Sequence, residues 1–93
     1  MIIGTCRIYL SAGWITSLKE KRSVVKGIIG RAGNKFNISI AEIERMDEHR
    51  SIVIGFACVS NETRHVNSVI TNVVSYIENG TEAVVEDVVI EIL

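Results

Sequence analysis

The sequence predicts an α+β sandwich assembled in the order βαββαβ. Three observations lead to it. Four segments alternate with the period of two that a strand requires, two repeat apolar residues at helical spacing, and capping or turn residues separate them. With 93 residues, 47% of them hydrophobic and 23% charged, the chain can fill one core without a disulfide or metal staple. Residues 1–93 are therefore expected to form a single domain.

The first strand is read over residues 2–10, with Ile2, Gly4, Cys6, Ile8 and Leu10 on one face and Ile3, Thr5, Arg7 and Tyr9 on the other. Ser11-Ala12-Gly13 breaks the alternation. Ser17-Leu18-Lys19-Glu20 then has the form of a capping box, so a helix is expected to start at Ser17. Leu18, Val25, Ile28, Ile29, Ala32 and Phe36 fall within about a third of the helical circumference, the stripe of a core-facing helix that ends near Gly33 or Asn34.

Residues 37–44 are β-branched and change phase between Ile38/Ile40 and Ala41/Ile43, which predicts a second strand that is bulged or at an edge. After the charged connection from Arg45 to Arg50, Ile52, Ile54, Phe56 and Cys58 alternate with Val53, Gly55, Ala57 and Val59. Apolar residues on both faces mark a central strand. Asn61 is the expected cap of a second helix, lined by Val66, Val69, Ile70, Val73 and Ile77 and stopped by Asn79-Gly80. Val84 to Leu93 supplies the last strand, with Val84, Val88, Ile90 and Ile92 against Val85, Asp87, Val89 and Glu91.

Right-handed crossovers arrange these elements as a four-stranded antiparallel sheet of order 4-1-3-2 with both helices on one face, the ferredoxin-like arrangement. The other face would then present Ile3, Tyr9, Val53, Ala57, Val59, Val85 and Val89. A patch of that extent predicts a covering partner, most simply a second copy in a twofold homodimer.

Three segments carry a family resemblance: Ser17-Leu18-Lys19-Glu20-Lys21-Arg22, Lys35-Phe36-Asn37-Ile38-Ser39-Ile40-Ala41-Glu42 and Ile54-Gly55-Phe56-Ala57-Cys58-Val59-Ser60-Asn61. In this combination the chain resembles, over nearly its whole length, the YlxP-like family of small bacterial proteins. The resemblance implies a ferredoxin-like fold and no activity. The genes of such proteins often lie beside those for translation-initiation and ribosome-maturation factors, which implies a connection to the ribosome or its RNA. This chain departs from the usual pattern in having no proline before the first helix, His49 in place of a tryptophan in the second hairpin, and Gly27, Gly30 and Gly33 in place of larger residues.

The formal charge of −1 conceals an asymmetry: residues 1–40 hold seven basic groups against Glu20, and residues 41–93 hold three against ten acids. Lys19, Arg22 and Lys26 share one helical stripe that continues through Gly30 and Gly33. Basic side chains neutralise phosphates whatever the sequence, and glycine admits close backbone approach, so this flank is the candidate contact for nucleic acid or a partner. An ordinary solvated helix face is the simpler alternative. Trp14, in the loop leading to this helix, either stacks on a base or a partner's ring or seals the edge of the core.

Other motifs fail on detail. Ile29-Gly30-Arg31-Ala32-Gly33 imitates the glycine loop of KH domains, but the following Asn37-Ile38-Ser39-Ile40 reads as strand where a helix is needed. Tyr9 and Phe56 do not complete the paired aromatic motifs of an RNA-recognition domain, because Phe56 is expected in the core. Residues 11–16 hold neither the arginine of an acylphosphatase nor the cysteine pair of a copper chaperone. His49 and His65 lack ligand spacing, and Cys6 and Cys58 sit in apolar strands as small hydrophobes.

No nucleophile beside a base, no enclosed carboxylate pair and no phosphate-cradling loop after a strand is found. No cofactor, metal or small-molecule substrate is expected. The opening Ile2-Ile3-Gly4-Thr5 has no secretory-signal character and no apolar run is long enough for a bilayer, so a cytoplasmic location is expected and the Asn-x-Ser/Thr triplets at Asn37, Asn61 and Asn79 carry no weight. The expected role is a non-enzymatic accessory protein associated with RNA or the ribosome through the first helix. The alternative is a homodimeric interaction or regulatory module that uses the open sheet face.

Overall fold

The computed structural model describes residues 1–93. Its elements are β1 (Ile2–Ser11), α1 (Leu18–Lys35), β2 (Ser39–Glu44), β3 (Ser51–Ser60), α2 (Thr63–Asn79) and β4 (Val84–Ile92). All strand pairs are antiparallel and the order across the sheet is β2-β3-β1-β4, the expected order in reverse. The ferredoxin-like arrangement read from periodicity is the one observed. Neither helix is long and apolar enough to cross a membrane.

The inner pair β1–β3 runs in register without interruption from Ile2↔Ser60 to Ser11↔Ser51. Cys6, Ile8 and Leu10 from β1 and Ile52, Ile54, Phe56 and Cys58 from β3 point to the helix side. There they meet Val25, Ile28 and Ala32 of α1 and Val66, Ile70, Val73 and Ile77 of α2. Ala12 and Ile15 close the end of this core beneath the β1–α1 connection, so Ile15 does the sealing that Trp14, 45% exposed, does not.

Ser17 caps α1 by accepting the Glu20 N–H at 3.1 Å, while Glu20 accepts the N–H of Thr16 at 3.2 Å. The reciprocal bond thus lands one residue earlier than in the usual capping box. The helix runs past Gly33 and Asn34 to Lys35, where Phe36 N–H still bonds the Ala32 carbonyl. In α2, Glu62 rather than Asn61 occupies the cap position and its side chain makes no capping bond. Ser60 Oγ instead accepts the Glu62 N–H at 3.3 Å.

Both edge strands are irregular. In β2 the register shifts between Glu42 and Glu44, and the extra residue, Ile43, lays its side chain over Gly55. In β4 the register shifts so that Tyr9 opposes Asp87 but Leu10 opposes Val85, leaving Glu86 as the extra residue. This overturns one expectation: Val85 is not on the open face but packs against the core, and the exposed Val84 takes its place opposite Ser11. One inserted residue in a strand of period two exchanges the faces of everything before it.

A second expectation also changes. Val53 does lie on the face away from the helices, between Tyr9 of β1 and Glu44 of β2, yet it is fully buried. Tyr9 Oη donates to Glu44 at 3.3 Å across it, and Arg45 stacks over the Tyr9 ring at 5.5 Å. Val53 is covered from within the chain and offers nothing to a partner.

Candidate functional site

The first candidate surface is built on α1, which carries six basic side chains and one acid. One of the six is not at the surface. Lys21 is 1% exposed on the core side, where its ammonium lies 3.0 Å from Glu42 and donates to the Arg45 carbonyl at 2.6 Å. The approach to Glu42 is close but not aligned as a hydrogen bond, so that attraction is chiefly ionic, while the directional bond goes to the carbonyl. Arg45 needs that anchor, because its φ of 58° places a non-glycine residue in the left-handed region.

The remaining cations divide by task. Arg31 donates to the Gly80 carbonyl at 3.1 Å and so closes the end of α2, and Lys35 stands over the Tyr76 ring at 5.8 Å. Lys19, Arg22 and Lys26 are exposed and make no ion pair, the Lys21–Glu42 contact being the one salt bridge in the chain. Gly30 and Gly33, also exposed, continue their stripe along the helix.

The backbone of that stripe is bare for no reason internal to the fold. A Cβ added at Gly30 would meet nothing within 4 Å, and one at Gly33 would touch only Ile40 at an ordinary 3.6 Å. The glycines that packing does require are elsewhere: a Cβ at Gly4 would strike Val66 and Ile70, and one at Gly55 would strike Ile43 at 2.7 Å. A Cβ added at Gly27 would come within 2.9 Å of the Arg31 guanidinium, the end of a flexible side chain.

The second candidate surface is the open sheet face. Its rows follow from the register: Val59, Ile3 and Leu93; Ser39, Ala57, Thr5 and Glu91; Ala41, Gly55, Arg7 and Val89; Glu44, Val53, Tyr9 and Asp87. Leu93 belongs to the first row because it exchanges both backbone bonds with Ile3, at 3.0 and 2.7 Å. Of the residues expected here, Ile3, Tyr9, Ala57 and Val89 are half-buried and Val59 is exposed. A shallow depression of about 430 Å³ lies over Gly55 and Ala57, with Arg7, Ile43 and Glu91 on its rim. The surface is thus less apolar and more charged than expected.

Arg7, half-buried on a central strand, has no carboxylate within 4.0 Å although Asp87 and Glu91 lie diagonally across from it on β4. The two thiols, one strand apart on the core side, are both buried, and burial pushes the Cys6 thiol up to about 11 and the Cys58 thiol above its ordinary value. They are protonated at neutral pH. Trp14 remains largely open at the amino-terminal approach to α1.

Sequence reasoning placed the basic stripe and missed Lys21. The signal was available, since Leu18, Lys21, Val25, Ile28 and Ala32 follow the three-and-four spacing of the core stripe and put the lysine inside it.

Comparison with known proteins matches residues 3–90 to the family described as "Protein of unknown function (DUF503)". The "Uncharacterized protein YlxP" of Bacillus subtilis (strain 168) is 40% identical over 77 residues, covering 83% of this chain and 79% of that protein. The resemblance read from the three segments is therefore shown. Among solved structures, the de novo designed protein LFR1 1 with ferredoxin fold superposes with a TM-score of 0.55 at 11% identity, covering 100% of this chain and 83% of that one. The putative chlorite dismutase TA0507 superposes with a TM-score of 0.53 at 13% identity over 99% of this chain and 44% of its own. At such identities these likenesses show the fold alone.

Proposed function

Since this chain belongs to the DUF503 family, whose description assigns no activity, we propose on physical grounds that it is a non-enzymatic accessory protein that binds the phosphate backbone of ribosomal RNA through the exposed flank of α1. Lys19, Arg22 and Lys26 supply the charge, and Gly30 and Gly33 supply a stretch of helix to which a phosphate chain can come close.

The observation that carries this reading is Gly30. A glycine inside a helix costs about 1 kcal/mol relative to alanine, and an alanine methyl at this position would meet nothing. The fold gains nothing from the bare backbone, whereas a ligand lying along the helix does. The absence of ion pairs at Lys19, Arg22 and Lys26 supports the same reading, because their charge is not spent inside the chain. The choice of RNA rests on the gene-neighbourhood association implied by the family resemblance.

The test is a binding titration of the whole chain with a structured ribosomal RNA fragment and with ribosomal subunits, between 50 and 200 mM salt, beside a Lys19, Arg22 and Lys26 triple alanine variant. Three phosphate contacts predict a fall in affinity of roughly 20- to 40-fold across that salt range. The triple variant should lose both the binding and the salt dependence. Absence of binding at low salt, or binding that the variant retains, overturns the reading.

A further inference from the structure

The open face carries both halves of an ion-pair arrangement that the chain does not complete within itself. Arg7 sits on β1 opposite Val89, and the neighbouring residues of β4 on the same face are Asp87, opposite Tyr9, and Glu91, opposite Thr5. No carboxylate comes within 4.0 Å of the Arg7 guanidinium. A face that holds unpaired groups of both signs is complementary to itself, the requirement for an isologous interface.

We propose that two copies of this chain pack open face to open face about a twofold axis that runs along the strands between β1 and β4. This inference does not depend on the RNA reading, which concerns the opposite side of the sheet. The axis exchanges the positions of the two strands. Each Arg7 then stands over the second copy's Val89, between its Asp87 and its Glu91, and each Ile3 meets the second copy's Leu93, which is 68% exposed in the single chain.

Charge selects this axis from its neighbours. An axis along β1 itself would place Arg7 on Arg7. Either axis between neighbouring strands leaves the two guanidiniums one strand apart, but one between β1 and β3 would set each over Gly55, with no acid opposite. The β1–β4 axis alone surrounds both guanidiniums with carboxylates, and a paired arginine and carboxylate removed from water together avoid the cost of stranding either one. The axis also leaves Val59 outside the contact, because β3 then faces past the edge of the second sheet.

The test is sedimentation equilibrium of the 93-residue chain over a wide concentration range, with circular dichroism to establish that each variant is folded. The unaltered chain should form a dimer. Arg7→Glu should weaken it at least about tenfold, as should Glu91→Arg. The double variant Arg7→Glu/Glu91→Arg should recover most of the association. Leu93→Asp should weaken the dimer and Val59→Asp should leave it unchanged. A chain that is monomeric at every concentration overturns the proposal, as does a dimer that ignores Arg7→Glu or one that Val59→Asp dissociates.

Discussion

The ammonium of Lys21 donates to the carbonyl of Arg45 at 2.6 Å, from a helix residue that is almost wholly buried to a turn residue in left-handed backbone conformation. Arg45 is thereby held from both sides of the sheet. Its carbonyl is fixed under α1, while its guanidinium bonds Ser51 at 3.0 Å and stacks over Tyr9 on the opposite face. The tip of the β2–β3 hairpin is thus tied to the helix layer and to the cover of Val53 at once.

Removing the carboxylate beside Lys21 should be costly. Glu42→Ala leaves a buried ammonium with one carbonyl for company, and breaking such a pair costs roughly 3 kcal/mol. Lys21→Met removes the charge while keeping an unbranched stem in the core stripe, and should cost less. Urea unfolding monitored by circular dichroism gives both values, with the midpoint rather than the slope expected to move.

Two glycines should respond in opposite directions to the same substitution. Gly30→Ala adds helix propensity without a clash and should stabilise the chain by about 1 kcal/mol, raising its melting temperature by roughly 4–8 °C for a domain of this size. Gly4→Ala drives a methyl against Val66 and Ile70 and should destabilise by about 1–3 kcal/mol. Calorimetry of the two variants separates them. Stabilised Gly30→Ala protein that binds RNA less well would link that glycine to the ligand.

Tyr9 should matter for its ring more than its hydroxyl. Tyr9→Phe loses one exposed bond to Glu44 and should cost less than about 1 kcal/mol, whereas Tyr9→Ala also strips the cover from Val53 and the seat of Arg45, for about 2–3 kcal/mol. Hydrogen exchange at the Val53 amide should accelerate in the alanine variant only.

Alkaline pH should expose the burial of Cys6. In the unfolded chain a thiol ionises near 9.0, but in the fold Cys6 holds its proton to about 11. The unfolded state therefore binds fewer protons between those values, so stability is fully present below pH 9 and falls as pH rises toward 11. Cys6→Ala should flatten that part of the profile. Iodoacetamide should accordingly modify Cys6 only as fast as the chain opens.

The topology was legible because four strands and two helices announce themselves by period, and right-handed crossovers leave few ways to join them. The core side of β1 and β3 was legible for the same reason. What escaped were three consequences of side chains crossing between elements. Val85 turned inward because Glu86 is an inserted residue, a break that the adjacent polar pair Glu86-Asp87 signals only faintly. Val53 was covered by a bond between strands on either side of it, which no local pattern encodes. Lys21 lay in the apolar stripe, but a lysine there finds its reason only in Glu42 and Arg45 of a later hairpin. The stripe of Lys19, Arg22, Lys26, Gly30 and Gly33 was legible because exposed residues on one helix need nothing beyond the helical repeat to come together.

The inserted residues of β2 and β4 have a consequence for how this molecule can grow. A sheet with two free edges can add strands from other molecules without limit, and that is the geometry of a fibre. Here the uninterrupted ten-residue pairing is confined to the interior, and each free edge is broken by a bulge and flanked by glutamates. A chain laid along β2 would lose its ladder beyond Glu42, and one laid along β4 would meet the break at Glu86. The edges thus work against open-ended strand addition, the route by which a sheet becomes a fibre.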